Sequence, residues 1–203
     1  IDSGVTLAIN ATGAANLNVT GTGDGSDVAV QIESPISSAS GNVTILALDG
    51  NSSTDDITFG VDGDITSASG TITINADTAG TTADVIMADG AVINAGTGLV
   101  DIDADQDVLL GAVTTSNTVE VTSAAGAIVD NTAAEAANIT GSTLNLDAVT
   151  GIGNGATLGD AADIDINGAI LSAVNSTSGN INITEVDSIA LDDITNVGRP
   201  VII

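Results

Sequence analysis

Aspartate is the residue on which any chemistry of this chain must rest. The acidic residues divide as 23 Asp and 4 Glu, facing one basic residue, Arg199, in a chain with no His, Cys, Lys, Tyr or Trp. Carboxylates without bases or thiols serve hard-cation ligation or turn capping far better than nucleophilic or redox catalysis. Their spacing sharpens the point. In "GTGDGSDVAV" (21 to 30), Gly23, Gly25, Asp27 and Ala29 fall in register with the nonapeptide of calcium-loaded β-rolls, although Thr22 stands where the first glycine belongs. The later strand starts "DITF", "DVIM" and "DVLL" place Asp56, Asp84 and Asp107 at the position of Asp27. Asp24, Asp27, Asp56, Asp84 and Asp107 are therefore the candidate metal ligands, Ca²⁺ is the cation they suit, and Asp55, Asp103 and Asp105 are further donors.

A purely structural reading explains the same recurrence. Aspartate at a turn accepts backbone N–H groups, and that alone would place one at each corner. Either way something must offset the crowding, because unit charges about 4.8 Å apart repel by roughly 1 kcal/mol even in water. Other acidic constellations are weaker. "DIDADQD" (101 to 107) opens like an EF-hand loop, but Gln106 replaces the glycine and Ala112 the bidentate Glu. Asp163 with Asp165, or Asp192 with Asp193, could form a glycosidase pair, yet no aromatic platform for a sugar accompanies them. An enzyme is not expected.

The elements that must carry these aspartates repeat. "SASGNVTILA" (38 to 47), "SASGTITINA" (67 to 76), "AGTGLVDIDA" (95 to 104) and "TTSNTVEVTSA" (114 to 124) each join a Ser/Gly/Thr turn to alternating apolar and polar residues. A second strand follows at each aspartate, and a third at "SPIS", "GDITSA", "GAVINA" and "GAVTTS". Leu17, Val43, Ile72, Val100 and Val119 mark steps of 26, 29, 28 and 19 residues, the excess lying in one corner loop. A unit of about 20 residues cannot bury its apolar face alone, so units must stack. The fold expected is all-β: a parallel β-solenoid with three short strands per coil, a β-sandwich being the alternative. Residues 1–203 read as one solenoid segment, less regular after about residue 125, where an alanine-rich stretch allows a helical turn. Whether Leu144 to Ile181 is one coil or two stays open.

The phrases "SGxIxIxA" and "DVxLxGxIxSA", with residues 150 to 194, resemble the repeat regions of filamentous-haemagglutinin-like giant bacterial surface proteins. The resemblance covers most of the chain and rests on repeats. It implies a right-handed β-helical shaft, secreted or held at the cell surface, serving adhesion or extracellular filaments. The family's amino-terminal secretion domain is not recognisable.

Charge narrows the partners. A formal charge of −26 repels nucleic acid and anionic membrane surfaces, and no apolar run approaches the roughly 18 residues of a membrane span. With 43% hydrophobic residues in patterned runs, the chain is not of the disordered class. The function expected is a non-enzymatic extracellular structural protein, whose partners are copies of itself end to end. The alternative is a calcium-dependent adhesin module holding surface glycans or other cell-surface proteins through its corner loops.

Overall fold

Short runs of Val, Ile and Thr, punctuated by Gly, Ser and Asp, give strands too brief to be stable singly, and a computed structural model shows how they combine. It describes residues 9–11, 13–22, 28–48, 55–76, 82–134, 136–153 and 162–203. The first coil holds β1 (Ile9–Ala11), β2 (Leu17–Thr22) and β3 (Val28–Ile32); the second β4 (Ile36–Ser38), β5 (Val43–Leu48) and β6 (Asp56–Phe59). The third holds β7 (Ile65–Ser67), β8 (Ile72–Asn75) and β9 (Val85–Met87); the fourth β10 (Val92–Asn94), β11 (Val100–Ala104) and β12 (Val108–Leu110). The fifth comprises β13 (Ala112–Thr114), β14 (Thr118–Ser123) and β15 (Ile128–Asp130).

Three parallel faces result. β1, β4, β7, β10 and β13 stack as the first, β2, β5, β8, β11 and β14 as the second, and β3, β6, β9, β12 and β15 as the third. Every ladder between these strands is parallel, which excludes an antiparallel sandwich and makes the fold the expected β-solenoid.

Later coils lose corners. β16 (Ile139–Ala148) runs straight from the first face to the second, pairing β13 through Ile139 and Thr140 and β14 through Thr143–Asp147. β17 (Ile164–Asn175) copies it in the seventh coil. β18 (Ile181–Glu185) then bridges the third face to the first, and β19 (Ala190–Asn196) and β20 (Val201–Ile202) complete an eighth coil. Leu144 and Leu171 are register neighbours, so one coil separates them, and Ile181 belongs to the third face of the seventh. No helix occurs among the described residues: Asn138 and Ile139, in the stretch read as able to turn helical, are held by bonds to neighbouring coils.

The core is a set of columns. On the second face Leu17, Val43, Ile72, Val100, Val119, Leu144, Leu171 and Leu191 stack in register. On the third, Val30, Ile57, Val85, Val108, Ile128, Ile152, Ile181 and Val201 do the same. Because each side chain sits on one of similar size, the core stays narrow, and its members in the second to seventh coils are almost wholly buried. The bulky exceptions, Phe59 and Met87, are register neighbours, so the extra volume of one coil meets extra volume in the next.

Corners between the first and second faces are built by small residues. Ser38 Oγ accepts the Gly41 N–H and Ser67 Oγ the Gly70 N–H, both at 2.9 Å. Gly41, Gly70 and Gly98 lie so close that a Cβ on Gly70 would collide with the Gly41 carbonyl, and one on Gly98 with that of Gly70. At Gly70 and Gly98 the absence of a side chain lets the turns stack at strand spacing.

Candidate functional site

The recurring aspartates stand at the corner that leads into the third face. Asp56 opens β6, while Asp84 and Asp107 immediately precede β9 and β12. Each carboxylate accepts a backbone N–H from the next coil: Asp56 Oδ1 from Asp84 at 2.9 Å, Asp84 Oδ1 from Asp107 at 2.8 Å, and Asp107 Oδ1 from Ala127 at 2.7 Å. The bonding that turn aspartates were expected to make does occur, but between coils rather than within one turn. Ala127 carries no carboxylate, so the ladder ends in the fifth coil.

This geometry explains why the repulsion is tolerated. A charge-assisted N–H···O⁻ bond on each rung offsets the crowding of like charges. Burial still pushes the Asp84 carboxyl above its ordinary range; the Asp107 N–H pulls it down and the Asp107 charge pushes it up again. Asp24 and Asp27 lie outside the described residues. Asp55 is buried beside Asp56, Asp105 is half-buried at the same corner, and Asp103 points outward from β11. Among the described residues no group of three or more acidic side chains is arranged to hold a metal ion.

Among the described residues a second concentration of acid lies elsewhere. Alternation along β11 turns Asp101 and Asp103 outward, and the parallel register sets Glu120 of β14 beside Asp101. With Thr122, Asn145 and Asp147 they line a shallow groove on the second face. Asn75 Nδ2 donates to Asp103 Oδ2 and Asn145 Nδ2 to Glu120 Oε1, each at 3.3 Å, so amides border the acidic rungs on both sides. Burial, then the charges of Asp103 and Glu120, push the Asp101 carboxyl up to about 6. In the sequence, alternation with Val100 and Ile102 already marks Asp101 and Asp103 as outward, and the 19-residue step from Val100 to Val119 aligns Asp101 with Glu120.

The two acid pairs weighed for glycosidic chemistry separate cleanly. Asp163 and Asp165 are buried, Asp163 accepting the Thr184 hydroxyl and the Asp165 N–H donating to Asn138 Oδ1 at 2.9 Å. Asp192 and Asp193 are exposed on β19, where the register with β17 shifts between Leu171 and Ala173. That bulge arises because two residues separate Leu191 from Ile194 whereas one separates Leu171 from Ala173.

The eighth coil also bares the core. Leu191, the last member of its column, is 55% exposed, and Val201 is 42% exposed, whereas Leu171 and Ile181 one coil below are fully buried. Compared with family models, curated proteins and solved structures, the chain matches none.

Proposed function

We propose that this chain is a structural rod, a segment of an extracellular or cell-surface shaft that extends by coil stacking and serves a filament, sheath or adhesin. The supporting observation is that the apolar columns run in register through the eight coils described, so that each coil buries its apolar side chains against its neighbours in the stack. A parallel edge bearing matched apolar side chains is completed only by another coil of the same kind. The aspartate corner fits the same reading, because its carboxylates bond coil to coil and so serve the stack itself.

Electron microscopy and sedimentation of the purified chain, with calcium and with a chelator, test the proposal. Rods or filaments that survive chelation are expected. Discrete particles at every salt and protein concentration would reject the shaft and favour a calcium-dependent adhesin module. Assemblies that dissolve on chelation would make the aspartate corner the joint that holds the stack together.

A further inference from the structure

We infer that the first face binds an uncharged, extended β-linked polysaccharide lying along the stacking axis, a role that needs the solenoid but not the stacking of copies. The three faces differ in what they turn outward. On the second, Thr44 and Thr73 give way in register to Asp101 and Glu120, and on the third Ile86, Leu109 and Val129 form an apolar stripe. On the first, the outward row reads Ser37, Thr66, Asn94, Thr114, Thr140 and Asn167, from the second coil to the seventh. In a chain with 27 acidic residues this row holds none. At strand spacing it extends over about 24 Å.

The hydrogen-bonding groups of the row are also open. Asn94 Oδ1 accepts the Gly96 N–H at 2.9 Å, whereas the side chains of Ser37, Thr66, Thr114, Thr140 and Asn167 bond to no other described residue. On the acidic second face, by contrast, Asn75 and Asn145 are already bonded to Asp103 and Glu120. Hydroxyls and amides both donate and accept, so the row matches a ligand built of neutral hydroxyls. The formal charge of −26 keeps sulfated and carboxylated chains away. Ser, Thr and Asn differ in reach, and such an uneven row suits a polymer that can adjust along its length better than the flat lattice of ice. The one aromatic residue, Phe59, is buried, so no ring is offered to a sugar face. Each contact is therefore weak, and binding depends on many contacts repeated along one long chain.

Depletion of the protein by amorphous cellulose pelleted at low speed, against a control without cellulose, tests the inference. Thr66→Val, Thr114→Val and Thr140→Val together remove three hydroxyls and keep strand-forming side chains. This triple variant should bind roughly ten-fold more weakly than the parent. Thr44→Val with Thr73→Val, on the second face, should bind like the parent, and the urea midpoints of all three proteins should be alike. Soluble hydroxyethyl cellulose should compete, whereas cellotriose, too short to span the row, should not. A parent that does not bind cellulose, or equal loss in both variants, would overturn the inference and leave the shaft standing. Ice shaping that disappears in the triple variant, without cellulose binding by the parent, would also overturn it and assign the row to ice.

Discussion

At the scale of single residues, the aspartate corner separates bonding from charge. Asp84→Ala removes the acceptor of the Asp107 N–H and should cost about 1–3 kcal/mol, read from the urea midpoint. Asp84→Asn keeps an oxygen in place and sheds the repulsion from Asp107, so it should be no less stable than the parent. Asp101 behaves differently because its neighbours are carboxylates. Its folded-state pKa of about 6 stands above the ordinary 3.8, so the folded protein holds the extra proton between these values. Stability should fall as pH rises from about 4 to about 6 and level off above, with Asp84 and Glu185, also raised mainly by burial, acting in the same sense. Asp101→Asn should flatten that slope and raise the urea midpoint at neutral pH.

Elements explain which parts of the structure were legible beforehand. Strands β2 to β14 follow from phrases such as "GNVTILA" and "GTITINA", because alternation and small-residue corners are local properties. The fusion of two faces in β16 was not legible. "GSTLNLDA" reads like the other strand starts, but Gly141 pairs with Gly168 and Leu144 packs against both, keeping the ladder unbroken where earlier coils turn. Partners of the corner aspartates were hidden for a similar reason, lying 20 to 28 residues away. The "SASG" corners make a prediction of their own. Gly70→Ala drives a methyl into the Gly41 carbonyl and should cost about 1–3 kcal/mol in thermal or urea unfolding. The same change at Gly13, with open space around it, should cost much less.

For the whole molecule, electrostatics and topology act together. A formal charge of −26 spread over a stack of coils favours expansion, and raising salt shortens the screening length from about 30 Å at 0.01 M to about 8 Å at 0.15 M. Both the melting temperature and the sedimentation of assembled material should therefore rise over that range in simple sodium chloride. A flat response would mean that the carboxylates are already neutralised by bound cations. The side-chain ladders add a direction. Asn16, Asn42, Asp56, Asp64, Asp84, Asp107 and Asn138 all offer an oxygen to a backbone N–H of the following coil, at 2.7 to 3.0 Å. In these seven bonds a chain emerging amino terminus first presents the acceptor before its donor arrives, and each finished coil becomes the template on which the next is laid down. Synthesis or export in that order would turn a slow, non-local β-topology into a succession of short additions at one moving edge.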